Sequence, residues 1–136
     1  MPPSDPKFQL LASVDVLRDL PRRRLRQLAA LVDEVTIDAG EVLIRQGQLN
    51  RHAYFVQSGS MGIDVDGERV ATVVAGSIVG ERTAIQHGLA NATVTSLERS
   101  LVFAVDHRVL LGTASRDADF ARLLRDLADD RTNRAA

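Results

Sequence analysis

Apolar residues recur first at helical intervals. Leu10, Leu11, Val14 and Leu17 form one set, and Leu25, Leu28, Ala29 and Val32 a second. Pro21 falls between them and suits the first turn of the second helix, where a missing N–H costs little. From Val35 the period drops towards two. Val35 and Ile37 alternate with polar residues, and Asp38-Ala39-Gly40 signals a turn. Val42-Leu43-Ile44, Ala53-Tyr54-Phe55-Val56, the alternating Met61, Ile63 and Val65, and Val70 to Val74 then read as strands. Asp66-Gly67 between the last two is a tight-hairpin signal. Gly76 breaks the run, Ile78-Val79-Gly80 follows, and residues 81–91 hold a short stretch with room for a helical turn. Two more strands fill Thr93 to Val105. Phe120, Leu123, Leu124 and Leu127 close the chain with a helical stripe at i, i+3, i+4, i+7.

These elements predict a mainly β fold with flanking α-helices: an antiparallel β-roll or jelly roll of about eight strands, with N-terminal helices and a C-terminal helix. One domain over residues 8–128 is expected, with a disordered 1–7 and a frayed polar end at 129–136. At 136 residues the chain is long enough to bury a core without staples.

Composition narrows the function. No cysteine is present, so disulfides, thiolate metal sites and thiol nucleophiles are excluded. A net charge of −1 supplies no basic field for nucleic acid. No apolar run approaches the roughly 20 residues of a membrane span. The opening Met1-Pro2-Pro3-Ser4-Asp5-Pro6 lacks a signal peptide's basic and apolar regions, so a cytoplasmic protein is expected. His52, His87 and His107 lack metal-ligand spacing, and no nucleophile elbow, Walker loop or dinucleotide fingerprint occurs. Neither an enzyme nor a metal site is expected. Sixteen of the seventeen cationic residues are arginines, and Arg22, Arg23, Arg24 and Arg26 crowd a helix start that the dipole makes unfavourable for cations. A solvated face accounts for this cluster, and an acidic partner is the alternative.

Four segments carry a family resemblance. Asp38-Ala39-Gly40-Glu41-Val42-Leu43-Ile44-Arg45-Gln46-Gly47 and Tyr54-Phe55-Val56-Gln57-Ser58-Gly59-Ser60-Met61 resemble, in order and spacing, the strand region of cyclic-nucleotide-binding domains of the catabolite activator type. Gly76-Ser77-Ile78-Val79-Gly80-Glu81 looks like the start of that family's phosphate-binding cassette, and Ala92-Thr93-Val94 like its exit. The resemblance implies a ligand site at Gly80, Glu81, Arg82, Thr83, Asn91 and Ala92. Gly80 would allow close backbone approach, and Glu81 would accept the ribose 2′-hydroxyl. It also implies a pocket wall of Ile63, Val70, Ala71, Val73 and Ile78.

One position departs from the pattern. The family's cassette ends Pro-Arg-Ser/Thr-Ala-Thr-Val, and the same register here reads Leu89-Ala90-Asn91-Ala92-Thr93-Val94. Ala90 therefore stands where the family has its phosphate arginine. Removing one partner of a buried charge pair costs about 3–5 kcal/mol, which is roughly two to three and a half decades of affinity. Arg82 is one substitute cation, although adjacent helical residues diverge by about 100°, and His87 is another.

Three readings follow: a regulatory module with weakened or lost binding of cyclic AMP or cyclic GMP; a degenerate roll acting as a protein-interaction or regulatory subunit; and a pocket for a different, less anionic ligand. No cofactor is expected beyond those ligands. A protein partner or a homodimer is expected through the C-terminal stripe of Phe120, Leu123, Leu124 and Leu127.

Overall fold

The computed structural model describes the backbone of residues 6–86 and 88–135 and the side chains of 6–83 and 88–126. Eight strands alternate with short turns between helical ends. The chain opens with α1 (Pro6–Ala12), a single 3-10 turn (Asp15–Leu17) and α2 (Arg22–Ala29). The strands follow as β1 (Asp33–Ile37), β2 (Val42–Ile44), β3 (His52–Ser58), β4 (Ser60–Val65), β5 (Glu68–Val74) and β6 (Ile78–Val79). A short helix α3 (Glu81–Gln86) is inserted before β7 (Thr93–Ser96) and β8 (Ser100–Asp106), and α4 (His107–Arg116) and α5 (Ala118–Ala135) finish the chain. Every strand pairing is antiparallel, in two four-stranded sheets of order β1-β8-β3-β6 and β2-β7-β4-β5. This is the expected roll with flanking helices.

The two sheets explain why the strands differ in pattern. β3 and β8 are buried on both faces, so Ala53-Tyr54-Phe55-Val56 and Val102-Phe103 read as continuous apolar runs instead of alternating. Ala53, Phe55, Phe103 and Val105 join a helix-side core with Leu11, Leu17, Leu28, Leu110 and Phe120. Val56 and Val102 face the opposite way and meet Ile44, Met61, Ile63, Val73 and Val94 of the other sheet. The β4–β5 hairpin turns on Asp66 and Gly67, both at positive φ (53° and 83°), as a two-residue turn of this kind requires. Gln46 clamps that turn from the end of β2: it receives the Asp66 N–H at 2.8 Å and donates to the Asp66 carboxylate at 2.8 Å.

The assigned helices begin at Pro6 in α1 and run to Ala135 in α5. α4 was not anticipated. Its signals are real: the Asp106 carboxylate caps the Arg108 N–H at 2.7 Å, and Leu110 and Thr113 face the core. Gly112 and the β-branched Val109 and Thr113 obscure them.

Candidate functional site

The inter-sheet core does not close at its α3 end. There the inner faces of β2, β4 and β7, with Ile44, Ile63 and Val94, meet Val79 of β6 around a hollow of about 50 Å³. Val65, Val70, Ala71 and Ala92 extend the apolar wall, and Gly80, Arg82, Thr83, Ala90 and Asn91 supply the rim. This volume is below the roughly 300–1,000 Å³ of sites that enclose a drug-sized ligand. A nucleoside-sized ligand therefore sits across the mouth, or the rim parts to admit it.

The rim is set by a sharp turn from β6 into α3. Gly80 has φ +85°, and a Cβ there would lie 2.7 Å from the His52 carbonyl oxygen and 3.0 Å from Ile44 Cδ1. Only glycine permits both that conformation and that approach. His107 fixes the turn from the far side, its Nε2 lying 3.0 Å from the Gly80 carbonyl oxygen, to which it donates. Burial pushes the His107 pKa below the ordinary histidine value, while backbone hydrogen bonds to Gly80 and His52 oppose the shift. α3 in turn packs on β3, α4 and α5.

Ala90, also on the rim, is tied to the chain after β2 by its backbone. Its N–H donates to the Gln48 carbonyl at 2.8 Å, and its own carbonyl accepts from the Gly47 N–H at 2.7 Å. It is 5% exposed and faces the hollow with only a methyl group.

The structure gathers most of the expected residues at one place. Gly80, Arg82, Thr83, Asn91 and Ala92 surround the hollow, as do Ile63, Val70 and Ala71. Ile78 does not: it joins the helix-side core, and Val79 takes the wall position. Adjacent strand residues face opposite sides, so a one-residue difference in phase exchanges them. Val73 is buried between the sheets beneath the wall instead of on it. Glu81 is fully buried and is not among the residues that line the hollow. The helical offset that separates Glu81 from its neighbour turns Arg82 to the hollow instead. Ile44, Val65 and Val94 also line the wall and were missed. Their inward phase on β2, β4 and β7 was the available signal. His87 lies outside the described residues.

Elsewhere, Phe120 and Leu124 of the C-terminal stripe are packed into the helix-side core and are closed to a partner. Leu123 is partly buried, and the Leu127 side chain lies outside the described residues. A second groove, lined by Val16, Leu20, Phe120 and Leu123, carries Asp19, Asp117, Asp119 and Asp126 against the single Arg122. That excess of carboxylates repels anions. The basic cluster of α2 is partly occupied within the chain: the Arg22 and Arg26 guanidinium groups lie 5.3 Å and 5.7 Å from the Phe8 ring centre, and Arg24 donates to the Arg116 carbonyl at 3.1 Å. No metal-binding group of His, Asp and Glu occurs among the described residues, and no described helix is long and apolar enough to cross a membrane.

Comparison with known proteins places this geometry. A cAMP-dependent protein kinase regulatory subunit of Schizosaccharomyces pombe is 29% identical over 109 residues, which cover 77% of this chain and 26% of that protein. The chain spans between 12% and 32% of the curated relatives it matches. The fold is shared with the guanosine-bound regulatory subunit of a cAMP-independent protein kinase A from Trypanosoma cruzi (TM-score 0.78, 23% identity, covering 90% of this chain and 44% of that one). It is shared equally with the sensor domain of the transcriptional regulator DNR from Pseudomonas aeruginosa (TM-score 0.74, 22% identity, covering 90% and 86%). The family model for the cyclic nucleotide-binding domain matches residues 34–117, strands and cassette together, and the chain belongs to that family.

Proposed function

We propose that this chain is a non-enzymatic regulatory module whose hollow receives the ribose and cyclic phosphate of cyclic AMP or cyclic GMP, with binding weakened by the alanine at position 90. The hollow itself carries the reading: an apolar wall for a base and a polar rim at Gly80, Arg82, Thr83 and Asn91, left open where the rest of the inter-sheet core is packed. An anion at that rim meets backbone and side-chain donors, whereas the aspartate-lined groove repels one. The ribose contact is assigned to Glu81, which becomes accessible as the rim parts. Outward movement of α3 is transmitted to α4 and α5, on which it leans.

A second reading is supported by the guanosine in the Trypanosoma cruzi relative and by the methyl group at Ala90: the pocket takes an uncharged purine nucleoside. Isothermal titration of the chain with cyclic AMP, cyclic GMP, adenosine and guanosine separates the two. The first reading expects cyclic-nucleotide binding in the high micromolar range or weaker, about two to three decades below a site with an intact charge pair. Tighter binding of the nucleosides favours the second. Silence of all four at millimolar concentration contradicts both.

A further inference from the structure

The proposed site takes an anion, yet its rim opposite α3 carries no cation. The described residues around the hollow include one charged side chain, Arg82, and no carboxylate. Arg82 enters from the first turn of α3 and takes part in none of the ion pairs observed among the described residues. Its Nε is buried and has no hydrogen-bond partner. Buried N–H donors almost always find an acceptor, because leaving one unpaired costs its full desolvation. A guanidinium with a buried, unanswered donor on the wall of an otherwise uncharged hollow is placed to receive an acceptor from outside the chain.

We propose that Arg82 is the phosphate-binding residue of this pocket, replacing from the α3 side the charge that Ala90 does not provide. The inference rests on the pocket reading and adds the residue that sets its specificity. Three features support it. Glu81 is buried and is not among the residues that line the hollow, so the lining holds no carboxylate. Ala90 is buried and pinned by two backbone hydrogen bonds, and its methyl leaves the opposite rim unobstructed. The guanidinium also presents a planar fork of donors that matches two phosphate oxygens, whereas an uncharged nucleoside offers that fork no anion. The chemistry recognised is thus a singly charged phosphodiester on a ribose, selected over the same nucleoside without its phosphate.

The test is the ratio of nucleoside to cyclic-nucleotide dissociation constants, measured by isothermal titration with guanosine against cyclic GMP and adenosine against cyclic AMP. In the wild-type chain the cyclic nucleotide is expected to bind at least about tenfold tighter, and raised salt should erode that preference. Arg82→Gln is expected to bring the ratio to about one through loss of cyclic-nucleotide affinity, and Arg82→Lys to retain part of it, since an ammonium keeps the charge without the fork. Adding Ala90→Arg to Arg82→Gln should restore the preference from the opposite rim, which also shows that the single variant is folded and its pocket intact. A ratio that does not respond to Arg82→Gln, while nucleosides still bind, overturns the Arg82 assignment and leaves the pocket reading standing. Failure of the wild-type chain to bind any of the four overturns both.

Discussion

The sheet formed by β1, β8, β3 and β6 has apolar side chains on both faces, and the two faces end differently. Towards the helices, Phe55, Phe103 and Val105 are fully buried against Leu11, Leu17, Leu28 and Leu110. Towards the second sheet, Val56 and Val102 are equally buried, but the layer thins at its α3 end, and Val70 and Ala71 are left part exposed beside the hollow. One face is covered by four helices that the chain itself provides. The other is left open at its α3 end by a hollow of about 50 Å³. The difference teaches that residues of the same chemical type complete a closed core in one layer and line an opening in the other, according to whether a helix covers them.

The largest expected effect lies in the covered layer. Phe103→Ala should cost about 3–5 kcal/mol, because a large ring is removed from a site closed on all sides. Urea unfolding measures it, and a loss below about 1 kcal/mol would mean that the two layers are not distinguished as described. Gly80→Ala comes next, at about 1–3 kcal/mol from the left-handed backbone alone, with the contact at the His52 carbonyl in addition. Unlike Phe103→Ala, it should also abolish ligand binding at temperatures where the protein remains folded. Val70→Ala, on the wall, should cost only about 1 kcal/mol in stability, because its methyl groups are part exposed, and yet should weaken ligand binding measurably. If Val70→Ala lowers stability as much as Phe103→Ala does, the wall is ordinary core.

The smallest expected effect concerns pH. His107 joins the layers, since it opens α4 and holds the Gly80 carbonyl. Its pKa is lowered in the folded state, chiefly by burial, so the unfolded chain binds that proton more readily. The stabilisation is therefore complete above the ordinary histidine range near 6.5 and is lost as pH falls through it towards the lower folded value. Thermal midpoints should decline between pH 7 and pH 5, and His107→Gln should flatten that decline relative to wild type. An identical profile in both proteins would remove His107 from the account.

The strands were legible because burial on one or two faces imposes its own period, and the positive φ at Asp66 and Gly67 follows from residue type alone. The resemblance at Val79-Gly80-Glu81 pointed to the end of the roll where the hollow lies, and the glycine there does make a close approach. Phase was harder to read. β6 has two residues, too few to show which one faces inwards, so Ile78 and Val79 exchange places between expectation and structure. α3 has six, and its rotation about its own axis, which leaves Glu81 off the wall and puts Arg82 on it, is set by packing on β3, α4 and α5. Of the stripe Phe120, Leu123, Leu124 and Leu127, Phe120 and Leu124 are packed into the helix-side core. An apolar stripe shows that a helix is covered, not what covers it, and here α4 of the same chain packs on it.

The most direct test of the central claim is an amide NMR titration of the chain with cyclic GMP, read residue by residue. Binding at the open end of the inter-sheet layer predicts saturable shifts at Gly80, Arg82, Thr83, Asn91 and Ala92 and along Ile63, Val70 and Ala71, with weaker changes at His107. Shifts confined to the groove of Asp19, Asp117 and Asp126, or no saturable shift at millimolar ligand, would contradict it.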